Sequence, residues 1–332
     1  MNNLGAYTQV LDRIPAWTET VPPGYVADFL GILTAKDFLA ARAQRPSTRA
    51  QYTFSDENSP PRLAAPALGG GKNGEFWFEA ANWVIAAQEA RERFVMATLG
   101  AFYGYQAVGC HRALSLVNPM PCRLVAVEPL AEKMQWLRRH MRDNGIDPDR
   151  QWLIQAALNG TNEPVLFPVG APGLGGHNCI ATNSRSARQD YASTIVAEGR
   201  TEQALASLLL HNSTGITRTL GPERSFTAEI KYLSAVTLAD ILGPLDFVDY
   251  LEADLQESEL VVFPPFMDLL KKKVRRVHIG THGGDVHAML HKLFAERGWE
   301  IVFSYLPESV HECPLGTFIT TDGILTVRNP AV

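Results

Sequence analysis

The chain has 332 residues, 46% of them hydrophobic and 20% charged, which is enough to bury one sizeable core or one core with a small cap. A net charge of -5 argues against a nucleic-acid partner, which needs a basic face, and no stretch approaches the roughly 18 apolar residues of a membrane span. Four cysteines at irregular spacing, without a CxxC pair, argue against a disulfide framework or zinc knuckle; with no signal-peptide pattern at the start, a cytoplasmic protein is expected.

Residues 1–75 are punctuated by proline and glycine and read as a helical and irregular extension, with a helix expected over 24–42, polar loops at 47–51 and 56–61, and a glycine-rich linker at 69–74. From residue 76 the pattern becomes regular. Helix is expected over 79–93, strand over 94–99, helix over 103–116, strand over 123–128, helix over 131–144 stopped by Gly145, and strand over 152–158. This succession is that of βαβ units in a parallel sheet.

Periodicity fails between about 160 and 226, an interruption long enough to expect a lid insertion. Order returns with a short helix at 237–242, a strand at 245–254, and a helix at 260–273 kinked at Pro264 and Pro265. The basic run Lys271, Lys272, Lys273, Arg275 and Arg276 reads as the solvated end of that helix. A strand at 274–280, a helix at 285–297 and a strand at 299–305 follow; the segment 316–327, turning at Asp322 and Gly323, predicts a strand pair and an antiparallel edge. About seven strands are expected in all.

In an open parallel sheet, ligands occupy the crevice at the C-terminal ends of the strands. The first strand runs into a turn carrying Gly100 and Gly104, where a ligand can approach the backbone. The second ends on Glu128, followed by Pro129. A carboxylate there can accept bonds from both hydroxyls of a ribose, so a nucleoside cofactor is expected. The glycine spacing departs from the G-x-G-x-x-G of dinucleotide sites, which leaves a nicotinamide oxidoreductase as the weaker reading. Asp254 ends the fourth strand inside an acid-rich exit that includes Glu259, and His282 follows the fifth among glycines. If those strands are neighbours, both side chains face one substrate group. Asp254 also fits a helix N-cap and His282 a plain loop residue. His278 reads as a core histidine, and His287 with His291 as a surface pair. The spread of His278, His282, Asp285 and His287 over strand, loop and helix resembles no closed ligand pattern, so no metal is expected.

The block VDYLEADLQESE at 248–259, followed by RRVHIGTH at 275–282, resembles the FkbM family of S-adenosylmethionine-dependent methyltransferases. Leu99-Gly100-Ala101 with Gly104, and Val127-Glu128-Pro129, are similar to that family's cofactor motifs, and the resemblance spans about 76–330. It implies a Rossmann-like class I methyltransferase fold, α/β, with a mostly parallel sheet. It also implies S-adenosyl-L-methionine as cofactor, held by Gly100, Ala101, Gly104, Glu128 and Pro129. The reaction it implies is methyl transfer to oxygen, less often nitrogen, of a small molecule or sugar; for such an acceptor His282 is the expected base, with Asp254 holding the acceptor or the imidazole and Glu259 beside them. Where the family carries an acidic residue at the end of strand one, this chain has Thr98, and Glu79 on the preceding helix is the candidate to replace it. Thr98 and the bulky Phe102 leave open a catalytically inactive relative that binds a ligand or partner through the same crevice. Neither nucleic acid nor membrane is expected as partner, and a homodimer is left open.

Overall fold

A computed structural model describes residues 4–42, 54–58, 63–169, 229–256 and 258–332. The expected lid therefore lies outside the described residues from 170 onward, as do Cys179 and the loop at 47–51.

Seven strands form the central sheet. They are β1 (Phe94–Leu99), β2 (Cys122–Val127), β3 (Trp152–Ile154), β4 (Val248–Ala253), β5 (Val274–Thr281), β6 (Glu300–Tyr305) and β7 (Gly323–Arg328), in the spatial order β3-β2-β1-β4-β5-β7-β6. All neighbours are parallel except β7, which runs antiparallel between β5 and β6. This is the strand order of the Rossmann-like class I methyltransferase fold, with the reversal of direction of winding at β1 and β4. Ligand crevices open at such a reversal.

Helices cover both faces: α1 (Glu75–Glu89), α2 (Tyr105–Val117), α3 (Ala131–Asp143), α4 (Leu238–Leu242), α5 (Glu259–Val262), α6 (Met267–Lys273) and α7 (Gly284–Glu296). β1 and β4 are buried along their whole length; β1 reads as an apolar run broken only by Thr98, whereas β4 carries Asp249 and Glu252 among its apolar residues. On one face Phe94, Met96, Tyr250 and Phe303 pack with Phe78 and Trp83 of α1, and the N-terminal residues Leu4, Trp17 and Phe29 join the same core. On the other, Ala97, Leu99, Leu251 and Val277 pack with Leu242, Phe263, Leu270 and Phe294.

One row across the sheet is polar. Thr98 pairs in register with Glu252, Glu252 with His278, and His278 with Thr326. This row lies under α1, whose Asn82 donates to Thr326 Oγ1 at 3.0 Å and meets His278 Nδ1 at 3.2 Å.

Several boundaries differ from the sequence expectation. The helix expected over 24–42 is a strand pair, Tyr25–Ala27 with Leu33–Ala35, followed by a short helix, Lys36–Arg42. Asp28 turns the chain there, its Oδ1 accepting the N–H groups of Leu30 and Ile32, and Gly31 takes a left-handed φ of 78°. Helix α1 begins four residues earlier than expected, at Glu75, and α2 begins at Tyr105 because Gly104, at φ 80°, sets its entry. Strand three stops at Ile154; Ala157–Leu158 instead pairs with Ala235–Val236. Gly316–Thr320 pairs with Ser309–Cys313, so the turn at Asp322 and Gly323 connects two different sheets.

Candidate functional site

The turn after β1 is tied to the end of β2. Gly100 and Ala101 both donate their N–H to the carbonyl of Val127, at 3.0 and 2.9 Å. Gly100 has φ 80°, and a Cβ there would fall within contact distance of the Asp254 carbonyl oxygen, so only glycine lets β1 and β4 leave the sheet side by side. Phe102 adopts φ 49°, and its N–H donates to Glu128 Oε2 at 2.8 Å, while Leu130 donates to Oε1 at 2.9 Å. Glu128 thus clamps the glycine turn and, across Pro129, the entry to α3. Each of its oxygens keeps a lone pair for a further donor. Burial pushes its carboxyl up to about 7, against the pull of the two N–H groups and Lys133. The Phe102 ring packs on Phe38, centroids 5.9 Å apart, and under Lys133 Nζ at 4.9 Å.

A second group forms where β4, β5 and the turn into β7 meet. Asp254 is fixed by its N–H to the Leu99 carbonyl, and His282 follows β5 directly. His282 Nε2 lies 3.4 Å from Asp254 Oδ1, 3.6 Å from Asp322 Oδ1 and 2.6 Å from Gln256 Nε2, which also donates to Asp254 at 2.7 Å. On the other side of the ring, Nδ1 is 4.0 Å from Glu259 Oε1. Glu259 is fully buried, accepts the Leu255 N–H at 2.8 Å through Oε1, and has no hydrogen-bond partner for Oε2. Burial raises its carboxyl to about 7, opposed chiefly by the imidazole. The structure therefore brings His282, Asp254 and Glu259 together, and adds Gln256 and Asp322.

Asp322 reaches this group because α1 holds its turn. Glu75 Oε1 accepts the N–H of Thr321 at 2.5 Å and of Asp322 at 2.7 Å, and the Asn73 amide at 3.0 Å. Burial first, and then the charge of Asp322, raises Glu75 to about 7.

A third pair lies at the polar row. Glu252 accepts Trp83 Nε1 at 3.1 Å and Tyr250 OH at 3.0 Å, and burial raises it to about 8. Glu79 is raised well above the carboxylate range by burial and then by the charges of Glu252, Glu75, Asp254 and Asp322; its Oε2 is sealed from solvent without a hydrogen-bond partner. Glu252 stands one strand over from Thr98 on the same face of the sheet, a carboxylate beside the position where the sequence lacks one.

Two histidines settle into structural roles. His278 is buried and pushed down to about 3, bonded to Thr326 at 2.8 Å. His287, expected at the surface, is buried instead: it bridges Thr281 and Ser304, both at 2.9 Å, and props the end of β5. Among the described residues, no group of three or more histidines, cysteines or carboxylates is disposed to hold a metal ion. No helix among them is long and apolar enough to cross a membrane.

No protein-family model matches the chain. It is similar to a putative methyltransferase of Jannaschia sp. (strain CCS1), 22% identical over 321 residues, which cover 94% of this chain and 95% of that one. Among solved structures, it aligns with the methyltransferase FkbM of Methylobacillus flagellatus KT over 72% of this chain and 45% of that one, at 12% identity and a TM-score of 0.38. A SAM-dependent methyltransferase from Agrobacterium tumefaciens aligns over 85% and 68%, at 7% identity and a TM-score of 0.38. The fold assignment rests on the strand order itself.

Proposed function

We propose that the protein is an S-adenosylmethionine-dependent methyltransferase acting on a hydroxyl oxygen of a small molecule or sugar. One observation carries the reading. At the C-terminal ends of β1, β4 and β5, carboxylates gather around a single imidazole, and Glu79 and Glu252 have no Lys or Arg partner among the described residues. Buried without cations, these carboxyls are held protonated near neutral pH, and a ligand that brings positive charge would favour their ionised form.

The residues present fit such a cofactor. Gly100, Ala101 and Gly104 would let it approach the backbone, Glu128 and Pro129 would close the ribose end, and Glu79 with Glu252 would face the cationic methionine end. When bound, the cofactor supplies a methyl group on a sulfonium that carries its own leaving group. The chain's own work is to orient the acceptor, exclude water and receive a proton. His282 Nε2, which meets Gln256 Nε2 at 2.6 Å, would take the acceptor's hydroxyl proton once the acceptor displaces that amide, and Glu259 Oε1 lies 4.0 Å from Nδ1 on the other side of the ring. A base so placed contributes roughly 10²- to 10⁴-fold. Asp254 would hold the acceptor or the imidazole.

Calorimetry with S-adenosylhomocysteine tests the cofactor assignment. No heat at millimolar ligand would overturn it and favour a relative that binds some other ligand. His282→Ala is expected to lower turnover by about 10²-fold while leaving cofactor affinity unchanged; an equal loss of both would contradict its role as base.

A further inference from the structure

We infer that Gln256 is a positioning residue for the base: its amide holds the His282 ring neutral, with the proton on Nδ1 and the Nε2 lone pair available, until the acceptor's hydroxyl takes the amide's place. The inference deepens the role given to His282 above and rests on the methyltransferase reading for its purpose. The state of the ring follows from a chain of donors. A carboxylate only accepts, so the contact of 2.7 Å between Gln256 and Asp254 Oδ1 turns the nitrogen of the amide, and not its oxygen, toward that carboxylate. The same nitrogen stands 2.6 Å from His282 Nε2. An amide nitrogen has two hydrogens and no lone pair to share, so Nε2 accepts and carries no proton. The proton of the neutral ring is then on Nδ1, the side on which Glu259 Oε1 lies at 4.0 Å.

Without the amide, the surroundings favour the opposite state. Carboxyl groups face the ring from three elements: Asp254 at the end of β4, Glu259 on α5 and Asp322 in the turn before β7, with Nε2 at 3.4 and 3.6 Å from the two aspartates. Glu75 and Glu308 stand behind Asp322. The ionised forms of these groups and an imidazolium stabilise one another, and an imidazolium has no lone pair with which to remove a proton. A donor hydrogen held against Nε2 opposes that state, because N–H would then meet N–H. The backbone holds the donor there under strain. Gln256 takes a left-handed φ of 51°, which a residue with a side chain adopts only where its surroundings over-determine it. Its neighbours are pinned on both sides: the Asp254 N–H by the Leu99 carbonyl, the Leu255 N–H by Glu259 Oε1 at 2.8 Å, and the Ser258 N–H by the Leu255 carbonyl at 3.1 Å. An acceptor O–H donates to Nε2 as the amide does, so the ring keeps its tautomer when one replaces the other.

The test reads the ring itself, in the full chain and without acceptor or donor. Histidine ring nitrogens are isotope-labelled for nuclear magnetic resonance, and the His282 signals are assigned by their loss in His282→Asn. At pH 7.5 the wild type should show His282 with a bare Nε2 and a protonated Nδ1. In a titration over pH 5–9, its midpoint should rise by about one pH unit in Gln256→Met, which keeps the length of the side chain without its donor, and by about two in Gln256→Glu, which brings a further carboxylate to Nε2. Both variants should bind S-adenosylhomocysteine as the wild type does, which separates loss of the donor from loss of the fold. A proton on Nε2 in the wild type at pH 7.5, or a midpoint unmoved in both variants, would overturn the inference; the wild-type spectrum decides alone should a variant fail to fold. The two readings fail separately. The expected tautomer with no heat from S-adenosylhomocysteine would refute the donor assignment and leave the hold of Gln256 on the ring standing, and heat from S-adenosylhomocysteine with a protonated Nε2 would do the reverse.

Discussion

Glu252→Gln tests whether the C-terminal ends of the strands are poised for a cation. The amide oxygen can still accept from Trp83 Nε1 and Tyr250 OH, so shape and hydrogen bonds are retained and only the ionisable proton is lost. Burial holds Glu252 at about 8, against 4.5 for an ordinary glutamate. Below pH 4.5 the group is protonated in both folded and unfolded chains and favours neither. Between 4.5 and 8 the unfolded chain releases a proton that the folded one keeps, so stability falls as pH rises, by up to about 5 kcal/mol in all, and levels off above 8. The variant lacks this loss. Its melting temperature should match that of the wild type near pH 4.5 and exceed it by roughly 5–10 °C at pH 9. Because Glu79 feels the charge of Glu252, the difference reports the pair rather than one residue. The same substitution should weaken binding of S-adenosylmethionine, which carries the sulfonium charge, by about tenfold more than that of S-adenosylhomocysteine. Scanning calorimetry across pH 4.5–9.5 and titration calorimetry at pH 8 provide the two readouts. A melting difference that is constant with pH, or that grows toward acid, refutes the reasoning.

Gly100→Ala forces a side chain into a left-handed φ and onto the Asp254 carbonyl; it should destabilise by about 2–4 kcal/mol in urea and abolish S-adenosylhomocysteine binding, and a stable variant that still binds would contradict the close approach of β1 and β4. Glu128→Gln leaves one of two backbone donors, Phe102 N–H or Leu130 N–H, facing an amide NH₂, which should lower stability by about 1–3 kcal/mol and cofactor affinity at least tenfold. If stability falls while affinity holds, Glu128 serves the turn alone.

What could be read in the sequence was local. Strand β1 was expected and found over the same residues, because an apolar run ending at Gly100 has one way to leave a parallel sheet. Asp254 and His282 were placed together because adjacent parallel strands end together, and β4 and β5 are neighbours. Asp322 was hidden. A DG pair reads as turn chemistry, and nothing local says that β7 inserts between β5 and β6 and carries its turn to His282. Glu75 was hidden for the same reason, since its partners are about 250 residues away in the chain. Glu252 left a signal that can be recognised: a glutamate inside a strand buried along its whole length must have donors above it, here Trp83 and Tyr250. The N-terminal segment reads as helix in the sequence and is a strand pair in the fold, because the Asp28 side chain captures the Leu30 and Ile32 N–H groups and turns the chain back on itself.

The two ends of the sheet treat buried acids differently, and the contrast identifies the ligand end. At the N-terminal end, Asp249 accepts the Val95 N–H at 2.8 Å and pairs with Arg275 at 2.9 Å, while Arg276, fully buried, pairs with Glu89 at 3.1 Å. At this end Asp249 has its counter-charge within the fold, whereas buried Asp28, away from the sheet, is met by the Tyr105 hydroxyl and two backbone N–H groups instead. At the opposite end of the sheet, Glu79, Glu252 and Glu259 are all raised by burial, with one imidazole near Glu259 and no Lys or Arg ion pair to any of them among the described residues. A chain able to place Arg275 beside Asp249 could place an arginine beside Glu252 as well. Leaving those acids uncompensated lowers the stability of the empty protein above pH 7, and it is a reservoir that a cationic ligand draws on when it binds. Stability should therefore rise on binding a cationic donor by more at pH 9 than at pH 6, and calorimetric melting with and without S-adenosylmethionine at the two pH values checks it.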